Sequence, residues 1–248
     1  MNGVSFSLSE FLPVWVVELG GVLVLLLVVA GLVFKLNRWL RIVNPLKVGG
    51  GSRQSGYAKA LMAGLKISIT QKDVITDSRL RLVMHQFIFW GFILCGVATT
   101  LVWLTGTAEK ARTFADIPKI FGNLGGVLLL VGVSYLLLRL VVSMEFRRNR
   151  TLGDLSFFMA LFLVAATGFT TQYFRMEGWT AISLANYYIH LAANIFLLGA
   201  APFTHFFHAI TTPLMRVLAI LYPGNTLYRK KYDKITEDLL AYFDKEKK

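Results

Sequence analysis

Long apolar runs alternate with short, strongly basic polar stretches along this chain. A helix rises ~1.5 Å per residue, so crossing a hydrocarbon core of ~30 Å takes about 20 apolar residues. Five runs are that long, at about 12–34, 82–104, 123–142, 155–174 and 184–212. Only Glu18 interrupts the first, and Arg139 stands near the end of the third. No alternation of period two suggests a barrel, so the predicted class is all-α, a polytopic five-transmembrane-helix bundle over residues 1–221. The tail, 222–248, is predicted to be a cytoplasmic amphipathic helix, since Tyr232, Ile235, Leu239 and Tyr242 recur at helical spacing. Such a tail would rest on lipid headgroups or dock a soluble subunit.

Composition sharpens this picture. Of 248 residues, 55% are hydrophobic, and the mean hydropathy is +0.58, which is too apolar for an ordinary soluble domain. The net charge of +12 would fit a nucleic-acid binder. Its Lys and Arg residues, however, sit between the apolar runs, so they read as topology signals and no nucleic-acid partner is expected. The stretch after the first run carries Lys35, Arg38, Arg41, Lys47, Arg53, Lys59, Lys66, Lys72 and Arg79. Arg147, Arg148 and Arg150 follow the third run, and Arg229, Lys230, Lys231 and Lys234 follow the fifth. The residues before the first run hold no Lys or Arg. The positive-inside rule then predicts a multi-pass protein of the inner (cytoplasmic) membrane, with the N-terminus outside and the C-terminus in the cytoplasm. The N-terminus also lacks a basic n-region, so the first helix is expected to be retained. Asn44-Pro45 and the stretch 49–52 mark a loop, and YAKALMAGLKISI after it has helical spacing. That helix is expected on the membrane surface or under a partner subunit. One cysteine, Cys95, excludes an intrachain disulfide and a Cys-rich metal site within this chain.

All four histidines, His85, His190, His205 and His208, fall in or at the edge of apolar runs. Ionisable groups at membrane depth are expensive and mark function. With the predicted orientation, His85 lies near the cytoplasmic start of the second span, and His205 and His208 near the cytoplasmic end of the fifth. His190 lies near the outer end. His190 and His208 are eighteen positions apart, five helical turns, so they are expected on one face, with His205 rotated about 60° from it. Depth pairs His85 with His208 or His205, and the shared face favours His208. Two neutral imidazoles on facing helices suit the axial positions of a haem. Gly91, Gly96 and Gly199 would give helix packing or room for a flat macrocycle, and Pro202 should kink the fifth helix just before His205. Arg81, Arg216 and Lys35 are candidate propionate partners.

RLVMHQFIFWGF on the second span, with PFTHFFH and a following TTP on the fifth, resembles the nitrate reductase gamma-type membrane cytochrome b. Within that group the chain looks like the cytochrome b subunits of heterodisulfide reductase-like, sulfite-reductase-associated and high-molecular-weight cytochrome complexes. The resemblance covers all five spans, although its specific motifs are short. It implies haem b held between the second and fifth helices by His85 and His208, with His205 in a propionate or structural role. It also implies electron transfer between menaquinone or menaquinol and a cytoplasmic iron–sulfur subunit, as part of a respiratory oxidoreductase complex. Further membrane or periplasmic cytochrome subunits would be partners, alongside membrane lipid. In two-haem members a second histidine follows the first by ten residues, where this chain has Cys95. His190 matches the outer ligand, so a second haem stays open.

Glu18, inside the first run, is a candidate to take protons from a quinol. Trp179, Asn186, Tyr187 and Tyr188 would line a quinone pocket at the outer side, or belong to an interfacial aromatic belt. No residue set forms a self-contained substrate active site. Two other classes compete: a metal or small-solute permease using the histidines as transfer sites, and a colourless structural anchor with histidines as interhelical glue. A permease should carry repeats or symmetric broken helices, and none is evident.

Overall fold

Helix boundaries in this chain depart from the ends of the apolar runs. The computed structural model describes residues 13–43, 56–71, 78–105 and 116–221. They form α1 (Val14–Val43), α2 (Tyr57–Thr70), α3 (Arg79–Leu104), α4 (Ile117–Val142), α5 (Met144–Arg148), α6 (Leu152–Met176), α7 (Thr180–Ala200) and α8 (His208–Leu221). No strand occurs among the described residues. Five segments are long and apolar enough to cross a membrane: Trp15–Arg41, Arg79–Leu104, Ile117–Val142, Leu152–Met176 and Thr180–Leu221. The chain is an all-α, multi-pass membrane protein, as its apolar pattern requires. The loop at 44–52 and the tail at 222–248 lie outside the described residues.

The polar ends of the spans explain why helices start ahead of the apolar runs. Asp116 stands at the N-cap position of α4, with Pro118 just inside its first turn, where a missing N–H costs nothing. Thr151 and Asp154 close a capping box on α6. The Asp154 amide donates to Thr151 Oγ1 at 3.2 Å and the Thr151 amide to Asp154 Oδ2 at 2.9 Å. After α4, Arg139 and Arg150 both lie over the Phe146 ring, at 4.6 and 4.4 Å. That cation–π arrangement accounts for Arg139 as an interfacial charge.

The fifth apolar segment is not one helix. α7 ends at Ala200, two 3₁₀ turns follow at Ala201–Phe203 and His205–Phe207, and α8 begins at His208. Pro202 supplies no N–H to the ladder, and Thr204 between the turns is extended (φ −105°, ψ −176°). The expected kink is therefore a full interruption. Its consequence is a correction: the face shared by His190 and His208 presupposes an unbroken helix, so spacing no longer favours His208 over His205. At ~1.5 Å per residue α7 alone is about 31 Å long, enough to cross the hydrocarbon by itself.

The chain divides into two compact units. The first comprises α1 up to Ala30, α3 from Leu80, α4, α5, α6 and α7. Its helices approach through glycines. A methyl group at Gly91 of α3 would lie 2.8 Å from the Gly125 carbonyl oxygen of α4, and one at Gly132 would lie 2.9 Å from the Met84 carbonyl oxygen. At Gly126 it would lie 2.7 Å from the Phe169 ring of α6. Leu129 and Val133 fill the seam between them and are fully buried. Gly91 is thus a packing residue, whereas Gly96 and Gly199 face open space. The second unit comprises α1 from Gly31, α2 and α8.

Two glycines on α3 should separate packing from propensity. Gly91→Val is expected to lower stability by about 1–3 kcal/mol through overpacking against α4 backbone. Gly96→Ala is expected to be neutral or stabilising by up to about 1 kcal/mol. Thermal melts of the purified protein in detergent check both; equal effects would contradict the seam.

Candidate functional site

The α6–α7 hairpin is held by polar side chains that have no water to turn to. Asn186 Nδ2 is 2.8 Å from the Thr167 carbonyl oxygen, 2.8 Å from Thr170 Oγ1 and 2.6 Å from Thr171 Oγ1. The buried Ser183 hydroxyl donates to the Thr171 carbonyl at 3.3 Å. Between the helices Gly178 takes a left-handed φ of 75°. Trp179 then stacks on Phe174, with ring centroids 5.6 Å apart. Interhelical hydrogen bonds of this kind are the usual tie between spans. Asn186 is therefore structural, and Trp179 closes the hairpin.

One turn further along α7, His190 is fixed in the same way. Its Nδ1 lies 3.0 Å from Thr167 Oγ1. The Thr167 hydroxyl also reaches the Leu163 carbonyl, so this threonine ties the imidazole to α6. Gly168 gives the ring its seat, since a methyl group there would lie 3.4 Å from His190 Cε1. A histidine whose one nitrogen is tied down presents the other as a ligand or proton acceptor.

His190 lines a cavity of about 510 Å³ between α3, α4, α6 and α7, within the range of small-molecule sites. Its walls are mainly apolar. Polar groups enter from Lys119, Gln172, Arg175, Tyr187 and Asn194. Lys119 Nζ donates to Gln172 Oε1 at 2.8 Å, tying α4 to α6 at the rim. Cys95 reaches the wall from α3, but its thiol lies 3.9 Å from the Gly122 carbonyl oxygen, against α4. A methyl group at Gly125 would lie 2.9 Å from its Sγ. The cavity offers one imidazole nitrogen, a cationic and amide rim, and a long apolar wall. It suits a flat, mostly apolar molecule with hydrogen-bonding groups.

The predicted site residues are distributed unevenly. His190 and Tyr187 share the cavity with Cys95. His85, half-buried on α3, belongs to the first unit but does not line it. Glu18 is exposed on α1 and does not line it either. Tyr188 and Trp179 are largely exposed, at 42% and 48%. His208 is exposed at the start of α8, and His205 opens the second 3₁₀ turn. Arg216 is buried in the second unit, where its Nη1 donates to Ser68 Oγ at 3.0 Å. Lys119 and Arg175 escaped the sequence reading because at span ends they resemble topology charges, and Gln172 because a neutral amide there carries no signal. Only Thr167-Gly168, a hydroxyl beside a glycine inside a span, signals the histidine's seat.

Two curated proteins share detectable sequence with the chain. Citrate utilization protein B of Escherichia coli is 31% identical over 147 residues, 55% of this chain and 36% of that protein. A subunit of the dihydromethanophenazine:CoB–CoM heterodisulfide reductase of Methanosarcina barkeri is 24% identical over 159 residues, 58% of this chain and 60% of that protein. The chain is a distant homologue of both. It spans less than two thirds of the length of either relative. No family model matches, and no solved structure matches.

Asn186→Leu removes the donor that three acceptors on α6 share. It is expected to destabilise the hairpin by about 1–2 kcal/mol, read as an earlier thermal transition in detergent; an unchanged melt would contradict the tie.

Proposed function

We propose that the chain is a haem b-bearing membrane subunit of a respiratory oxidoreductase complex. It carries electrons between menaquinone or menaquinol and a cytoplasmic iron–sulfur subunit. The observation that carries this reading is the placement of the histidines. They lie on α3 and along the segment from α7 to α8. A haem needs two axial nitrogens, which histidines on separate helices can supply. The distant heterodisulfide reductase relative supports a membrane electron-transfer role, and the short motifs favour the nitrate reductase gamma-type group.

His85 and His208 would hold the haem iron, with His205 nearby in sequence as a propionate or structural partner. A haem bound there supplies a one-electron relay on the cytoplasmic side. A second bis-imidazole haem does not fit the His190 cavity. The position that would face His190 is Cys95, and its thiol is seated against Gly122 and Gly125 of α4. We assign the cavity instead to the quinone headgroup. His190 Nε2 accepts the hydrogen bond of a quinol hydroxyl and takes one of the two protons released on oxidation, the second passing to water and the two electrons to the iron–sulfur subunit. The Lys119 and Arg175 rim donates to the opposite oxygen. His190 thereby takes the part expected of Glu18.

Two measurements check this. A pyridine haemochrome assay should give one haem b per chain, and His85→Ala and His208→Ala should each abolish the reduced α band. A spectrum unchanged in both variants would remove the haem assignment. His190→Leu should keep that haem and lower quinol oxidation by about 10²–10⁴-fold, as loss of a general base does. Loss of haem in that variant would make the cavity a haem site instead.

A further inference from the structure

The second unit contains a helix with two apolar sides. α2 packs antiparallel on α8 along a small-residue seam. Ala60 and Ala63 bury against Ile220 and Leu221, with Val217 beside them. A methyl group at Gly64 would lie 2.5 Å from Val217 Cγ2. Further along, Ser68 receives the Arg216 hydrogen bond. At 100° per residue, the positions 60, 63, 64 and 67 form one face, and Leu61, Met62, Leu65 and Ile69 form the roughly opposite one. These four are 46–66% exposed. Lys59 and Lys66 lie side by side on one edge between the two faces.

Three observations decide what covers that stripe. The fourteen residues of α2 make a rod of about 21 Å, too short to cross the hydrocarbon and typical of an interfacial helix. Its other face is packed on α8, which is equally short and follows a helix, α7, already long enough to cross the hydrocarbon. Its exposed side joins an apolar stripe to a lysine edge, the pattern that sits at the acyl–headgroup boundary of anionic bilayers. We propose that α2 is an interfacial helix, its Leu61, Met62, Leu65 and Ile69 stripe bedded in the acyl boundary and Lys59 and Lys66 on anionic phospholipid headgroups. This surface rests on the membrane reading alone and is independent of the haem and quinone assignments.

The test uses the full chain reconstituted in bilayers of phosphatidylcholine with phosphatidylglycerol. Leu65→Trp adds emission over the five native tryptophans. That added emission should be largely lost with lipids brominated near the headgroup end of the acyl chain and retained with aqueous iodide. Met62→Trp on the same stripe repeats the reading if the first variant does not fold. Lys59→Gln and Lys66→Gln should each reduce enrichment of phosphatidylglycerol around the chain roughly fivefold at most. Quenching by iodide instead of bromolipid would place the stripe in water and overturn the proposal. Protection from both quenchers would put a protein surface there and overturn it too. Unchanged lipid enrichment in both lysine variants would remove the headgroup contact.

Discussion

A polar side chain buried among membrane helices has to find its hydrogen-bond partner in the protein, because hydrocarbon offers none. That requirement organises the α6–α7 hairpin. Asn186 divides its amide protons among three acceptors of α6, Ser183 is sealed against Thr171, and Thr167 holds His190 by one nitrogen. The same ties that join two helices therefore also hold the imidazole at the cavity wall. Structure and chemistry share one set of bonds.

Within the first unit, α3 approaches α4, and α4 approaches α6, through absence of side chain. Gly91, Gly125 and Gly132 bring α3 and α4 to backbone contact, and Gly126 admits the Phe169 ring of α6. Where the seam ends, the space between four helices opens into the His190 cavity. Cys95 sits at the transition, lining the cavity while its thiol rests against α4. This explains why one imidazole, and not two, is available in that space.

The five spans were legible in the sequence because hydropathy and length alone specify them. Helix starts were less so: the Thr151–Asp154 box lies in a polar stretch that hydropathy ignores. Pro202 announced a disturbance, but the extent of the interruption depends on Thr204 adopting an extended backbone, which no composition rule reveals. The cavity was the least legible feature. Its walls come from four helices, and its glycines look like any others used for helix packing. Glu18 was readable as an unusual charge, yet it lies exposed on α1, away from the cavity. His190 was readable as an intramembrane histidine, while its anchor is a threonine twenty-three positions earlier.

A single haem held by two imidazoles, with the His190 cavity left to a quinone, is the central claim. An equilibrium redox titration of the purified protein, followed by the ferric low-spin electron paramagnetic resonance signal, tests it most directly. One low-spin species titrating as a single one-electron step is the predicted result. Two species with separate potentials, or no low-spin haem signal at all, would contradict it.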